Sequence, residues 1–309
     1  MAEILDRHGH KVKISICSST GQTREIASVA EFKRLAGGIR SNLLQIFLKS
    51  LARGNFKNIY ILGKIFTKKY ILHREYDERH DLINTAFDIA SVKIWYNGMD
   101  LTFTQGGFLM FVLLDQIFIG NEYDVSPENI RGKTVVDAGA NLGTFSLMCA
   151  ALGAKKVYAF EPVKGTYEML KKNIEDNGLQ HVIIPVNKAL GEGNYETQIR
   201  SDYAGDGGSS IGLSGEKPKM SQNITVISLD SFFAGKEERV DVIKADVEGY
   251  EENVLIGAKA TISKFKPILA LSAYHKPTDK VAIPKLIREI RPDYNIKVNN
   301  FYEEDFYCD

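Results

Sequence analysis

Cysteine is nearly absent: Cys17, Cys149 and Cys308 are the only 3 in 309 residues, too widely spaced for a disulfide framework or a paired-cysteine metal knuckle. A reducing interior is the expected home. With only 8 Pro, and 26 Gly without a regular period, collagen-like and low-complexity chains are excluded. Long hydrophobic runs are also missing. The longest, from Phe108 to Leu114, stops at Asp115, well short of the roughly 18 apolar residues a membrane span needs. The first 30 residues hold no apolar stretch of signal-peptide length, so the chain is expected to be cytoplasmic, neither secreted nor membrane-spanning. The sequon at Asn223 is then read as coincidence. There is no G-x-x-x-x-G-K-[ST] phosphate loop, which disfavours phosphate-driven ATP chemistry.

Net charge is also absent in sum, since 39 Lys and Arg balance 39 Asp and Glu. The balance is not local. From Lys33 to Arg74 there are 10 basic residues and no acid. Apolar residues recur at helical spacing from Ile39 to about Ala90, for example Leu43, Leu44, Phe47, Leu48 and Leu51. Residues 1–90 are therefore expected to be a basic, mainly helical N-terminal extension with a poorly ordered start. Such helices cap a neighbouring domain or make peripheral contact with an anionic membrane surface.

Residues 91–309 read as a second unit. Val92–Tyr96 and Leu101–Phe103 flank Asn97-Gly98, a hairpin signal. Beyond Lys133 short apolar strands alternate with amphipathic helical stretches, the rhythm of a mainly parallel α/β sheet with helices on both faces. Strands are expected at 134–137, 156–161, 181–187, 240–246, 268–273 and 295–299, with helices at 142–152 and 164–177. Residues 194–200 and 223–229 read as an added antiparallel pair around a Gly- and Ser-rich loop at 205–215.

The chemistry concentrates at strand ends. Val135-Val136-Asp137-Ala138-Gly139-Ala140-Asn141-Leu142-Gly143 is an apolar strand ending in an acid, then a glycine-containing turn that opens a helix. Its D-x-G-x-N-x-G spacing differs from the dinucleotide G-x-G-x-x-G and suits close approach to the amino-acid part of S-adenosylmethionine. Phe160-Glu161-Pro162 follows 22 residues after Gly139 and puts an acid where ribose hydroxyls would lie. Val242–Asp246 then Glu248, and Ser272–His275, end two later strands at the same edge.

These segments resemble the FkbM-type class I methyltransferases: DAGANLG at 137–143, FEP at 160–162, NKAL at 187–190, SLD at 228–230, KADVEGYE at 244–251 and AYHKP at 273–277. The order and spacing agree over roughly residues 90–300, whereas the first ninety residues match no such pattern. The resemblance implies a Rossmann-like class I methyltransferase fold and S-adenosylmethionine-dependent O-methylation of a sugar or glycoconjugate. Carried over by position, Asp137, Gly139, Ala140, Asn141 and Gly143 would line the methionine end, Glu161 and Pro162 the ribose, and Asn187 and Ala189 the adenine. Tyr123 would touch the methionine carboxylate.

A sugar hydroxyl gains from a base that removes its proton as the bond forms. Asp246 is the first choice, with His275 and Glu248 next. A divalent metal on Asp246, Glu248 and Asp230 is the alternative, but no compact ligand motif marks one and no metal residue is assigned. A small natural product is a rival acceptor. Nucleic acid is a weaker one: there is no [DNS]-P-P-[YFW] loop for a flipped adenine, and Cys149 falls inside an expected helix. A scaffold without activity is disfavoured by the intact glycines and strand-end acids.

Overall fold

The structure is a computed structural model that describes residues 4–33, 90–104, 107–201, 210–211, 220–299 and 304–309. Its centre is a seven-stranded sheet of order β15-β16-β14-β13-β6-β7-β8. The strands are β6 (Thr134–Ala138), β7 (Lys156–Phe160), β8 (Ile183–Val186), β13 (Val242–Ala245), β14 (Ile268–Ser272), β15 (Ile296–Asn299) and β16 (Asp305–Cys308). Neighbours β14, β13, β6, β7 and β8 are parallel, and β16 alone runs against them.

Buried parallel strands carry apolar residues on both faces, and β6 does so. Val135 joins a core with α3 (Thr144–Ala151) and α4 (Lys164–Asp176), while Val136 and Ala138 join the core on the other face. That second core holds α5 (Leu229–Phe232), α6 (Glu251–Gly257), α7 (Lys259–Phe265) and α8 (Asp279–Ile290). The expected Rossmann-like sheet with two covered faces is thus present. The six expected strands are found, and β16 is an addition to them. Gly178 ends α4 at φ +65°, a left-handed conformation that a Cβ disfavours.

The N-terminal expectation needs correction. Rather than a poorly ordered start, β1 (Ile4–Leu5), β2 (Lys11–Cys17) and β3 (Thr23–Ile26) form an antiparallel sheet with β4 (Ser91–Tyr96) and β5 (Met99–Phe103). In β2 the alternation that drives this is plain, because Val12 and Ile14 are buried between exposed Lys11 and Lys13. β2 pairs with β4 along its length, so the sheet crosses the expected boundary at residue 91. The hairpin turn takes φ +48° at Asn97 and +85° at Gly98, the mirror-image turn that matches strand twist. Asn177 at the end of α4 bonds both the N–H and the C=O of Thr102, docking this sheet on the central one. The expected helices between 39 and 89 lie outside the described residues.

The apolar run expected at 108–114 forms α1 (Gly107–Leu114), which passes into a π-helical turn, Asp115–Ile119. A short helix, α2 (Pro127–Ile130), leads into β6. The added antiparallel pair is found as β10 (Tyr195–Ser201) and β12 (Met220–Ile227), joined by β9 (Ala189–Leu190) and β11 (Ser210–Ile211). Most of the 205–215 loop lies outside the described residues. No helix among the described residues is long and apolar enough to cross a membrane.

Candidate active site

A cavity opens at the carboxyl ends of β6, β7 and β13, where α/β sheets bind ligands. Its wall includes Tyr123, Gly139, Ala140, Asn141, Glu161, Pro162, Ala189, Lys244, Asp246 and Glu248, closed by Leu113 and Ile117 from α1 and the π turn and by Ile199 from β10.

The turn after β6 is fixed by its neighbours. The N–H groups of Gly139 and Ala140 donate to the carbonyl of Phe160 at 3.1 and 2.9 Å. Gly139 has φ +75°, and a Cβ there would stand 1.9 Å from the carbonyl oxygen of Asp246, so the residue must be glycine for the β6 and β13 ends to close together. Gly143 at φ +85° does not line the cavity. A Cβ there would meet Leu170 Cδ1 at 2.6 Å, so its part is to let α3 pack on α4.

Glu161 is buried and accepts hydrogen bonds from the Val163 N–H (2.9 Å) and the Asn141 N–H (3.0 Å). Burial pushes its carboxyl up to about 7, and the two backbone donors and Lys244 offset only part of that. Asn187 holds the strand exit, its amide donating to the carbonyls of Glu161 (2.8 Å) and Pro162 (3.1 Å).

Asp137 stands behind the cavity, fully buried. Its Oδ2 accepts from Ser146 (2.7 Å), and its Oδ1 faces the Lys244 ammonium at 3.1 Å. Lys244 was not foreseen. In the sheet register it sits directly beside Asp137, and its Nζ donates to the carbonyl of Gly139 at 2.8 Å. Burial penalises the ammonium most, yet Asp137, Asp246 and Glu122 together outweigh it and hold the lysine pKa above its ordinary value. The rings of Tyr123 and Phe145 flank the same ammonium at 5.3 and 6.0 Å.

At the far end of the cavity, Tyr123 donates its hydroxyl to Asp246 Oδ2 at 3.0 Å. Glu248 takes a left-handed backbone, φ +54°, which turns the chain sharply after β13. His275 lies behind both acids, with Nε2 3.5 Å from Asp246 Oδ1 and 3.4 Å from Glu248 Oε2, and Nδ1 3.0 Å from Glu251 Oε1. Burial alone would lower the imidazole pKa, but the three carboxylates, Glu251 foremost, raise it to about 9. Glu251, also unforeseen, accepts the N–H groups of Val247 (3.0 Å) and Gly249 (3.3 Å). Asp230 is not brought here. Its carboxylate accepts the N–H groups of Ala260 and Thr261 and the Thr261 hydroxyl, capping the start of α7. It is withdrawn as an expected metal ligand.

Parts of the chain are similar to known proteins. The family model described as the methyltransferase FkbM domain matches residues 137–297. The hexuronic acid methyltransferase AglP of Haloferax volcanii is 28% identical over 173 residues, covering 55% of this chain and 67% of that protein. The tRNA (guanine(37)-N(1))-methyltransferase Trm5b of Methanocaldococcus jannaschii is 48% identical over 87 residues, a span of 26% of this chain and 25% of that one. The crystal structure of a methyltransferase FkbM from Methylobacillus flagellatus KT aligns with TM-score 0.45 and 21% identity, covering 66% of this chain and 54% of its own.

Proposed function

The chain belongs to the FkbM methyltransferase family, and we propose that this S-adenosylmethionine-dependent enzyme methylates a hydroxyl of a sugar or glycoconjugate. The observation that carries the acceptor class is the likeness to a hexuronic acid methyltransferase over 55% of the chain.

The cavity fits the methyl donor. Glu161 has two carboxylate oxygens at the end of β7 to accept both ribose hydroxyls, with Pro162 beside it and Ala189 on the adenine side. Asn187 acts from behind by holding that strand exit. Asn141 Oδ1 is buried, lines the cavity and has no hydrogen-bond partner, an acceptor ready for the methionine ammonium. Gly139 and Ala140 give the backbone close approach there. Asp137 and Gly143 support that turn without touching the donor.

S-adenosylmethionine supplies a methyl group on a sulfonium, which is displaced in line. The protein's part is to hold acceptor oxygen, methyl and sulfur collinear and to take the hydroxyl proton. Asp246 is assigned as the base: it lines the cavity, and Tyr123 donates to its Oδ2. His275 faces its Oδ1 from the side away from Tyr123 and meets Glu248 in turn. Tyr123 therefore serves Asp246 in this reading, in addition to bounding the methionine end.

Methyl-labelled donor offered with uronic-acid saccharides, neutral saccharides, phenolic small molecules and tRNA tests the reading. Label in a saccharide supports it; label only in tRNA or only in small molecules overturns the acceptor class. The reading includes a cytoplasmic enzyme, in keeping with three cysteines that are all buried and unbridged. It also includes peripheral membrane contact through the cations of the 33–74 stretch.

A further inference from the structure

With Asp246 as the base, one neighbouring group is left underused. The His275 side chain is only 8% exposed, and its Nε2 has no hydrogen-bond partner. Both nitrogens nevertheless face carboxylate oxygens: Nδ1 is 3.0 Å from Glu251, and Nε2 is 3.5 Å from Asp246 and 3.4 Å from Glu248. A charge-assisted N–H···O bond is about 2.7–2.9 Å long, so the two Nε2 contacts are too long to be good ones.

The spacing suits a different bond. Ligands held at about 2.1 Å from one ion stand roughly 3 Å apart when adjacent and about 4.2 Å apart when opposite. One donor atom each from Asp246, Glu251 and His275 lie within 4.8 Å of one another, so small side-chain rotations would bring all three onto one ion. Asp246 Oδ1 and Glu251 Oε2 are also buried without hydrogen-bond partners, so each of the three side chains keeps an unsatisfied atom. Glu251 itself is only 1% exposed and fixed by two backbone N–H groups. Both N–H groups go to Oε1, which leaves Oε2 over for an ion.

We infer that Asp246, Glu251 and His275 form a binding site for a divalent first-row cation. Two carboxylates neutralise the dication. The imidazole favours Mn2+ or Zn2+ over the all-oxygen surroundings of Mg2+ or Ca2+. Asp246 lines the donor cavity, so an ion there meets the acceptor hydroxyl and makes its proton more acidic. With an ion bound, Asp246 is its ligand rather than the base, and Glu248, on the same cavity wall, takes the proton in its place. This catalytic use rests on the methyl-transfer reading; the existence of the site does not.

The test is titration of the chelator-treated full chain with Mn2+, following unbound ion by electron paramagnetic resonance, then displacement by Zn2+. One ion per chain is expected. Asp246→Asn, Glu251→Gln and His275→Gln should each weaken binding at least about tenfold, with folding checked by circular dichroism. If His275→Gln does not fold, the two isosteric carboxylate variants decide. No binding of either ion at millimolar concentration, or any folded variant that binds like wild type, overturns the site. Calorimetry with S-adenosylmethionine on the same samples separates the two readings: donor binding without metal binding sinks only this inference, and metal binding without donor binding sinks only the methyl-transfer reading.

Discussion

Glu161 makes a quantitative test of the donor site. Its two oxygens each hold a backbone N–H, at 2.9 and 3.0 Å, and burial raises the carboxyl to about 7. Two ribose hydroxyls donate well to the ionised form and poorly to the acid, so affinity should rise with pH. With a pKa of about 7, roughly nine-tenths of the molecules are ionised at pH 8 and roughly one-tenth at pH 6. Affinity in the free protein scales with that competent fraction, so it should fall nearly tenfold from pH 8 to pH 6. S-adenosylmethionine is a poor probe here, because its own α-amino group titrates near pH 8. 5′-Methylthioadenosine keeps the ribose and lacks that group, and calorimetric titration with it isolates Glu161. In Glu161→Gln one oxygen becomes an amide donor that faces a backbone N–H, leaving one hydroxyl without its acceptor. The loss should be about 1.5–3 kcal/mol, or roughly 10- to 150-fold, with the pH slope erased. A flat wild-type profile between pH 6 and 8, or a slope that survives in Glu161→Gln, would refute the assignment.

Other expectations follow from the same geometry. Gly139→Ala puts a Cβ 1.9 Å from the Asp246 carbonyl at φ +75°; the left-handed backbone alone costs about 1–2 kcal/mol, and donor binding measured by calorimetry should be lost. Lys244→Met leaves Asp137 buried without its counter-charge, a loss of about 3–5 kcal/mol that thermal denaturation should register as a fall of roughly 5–8 °C in Tm; an unchanged Tm would deny that the pair holds β6 to β13. Replacing Lys64, Lys68 and Lys69 by Gln should reduce co-sedimentation with acidic liposomes, and equal pelleting would dismiss membrane contact. Deleting the N-terminal ninety residues is the wrong form of that test, because it strips β1, β2 and β3 from the sheet that includes β4.

Much of the fold was legible because parallel strands buried on both faces must be apolar throughout. Val135-Val136 and Val242-Ile243 announce themselves. The turn at Asn97-Gly98 was legible for its left-handed preference. By contrast, β16 was hidden, since Asp305-Phe306-Tyr307-Cys308 is short and begins with an acid. β2 was hidden by its own alternation: Lys13 and Ser15 between Val12, Ile14 and Ile16 read as mixed polarity until β4 is laid beside them. At the site, Asp246 and Glu161 could be found because each ends a strand. Lys244 could not, because its meaning lies in the register that sets it next to Asp137, a neighbour 107 residues away. A lysine inside an apolar strand was the available signal. Glu251 was masked in the same way, by a role that depends on where β14 delivers His275.

Single-turnover transfer from methyl-labelled S-adenosylmethionine to a uronic-acid oligosaccharide, compared between wild type and Asp246→Asn with donor binding followed in parallel, tests the central claim most directly. The account predicts labelled saccharide with wild type, donor binding by both proteins, and transfer at least about a hundredfold slower in the variant. Transfer by Asp246→Asn at the wild-type rate, or no labelled saccharide from wild-type protein that binds the donor, would contradict it.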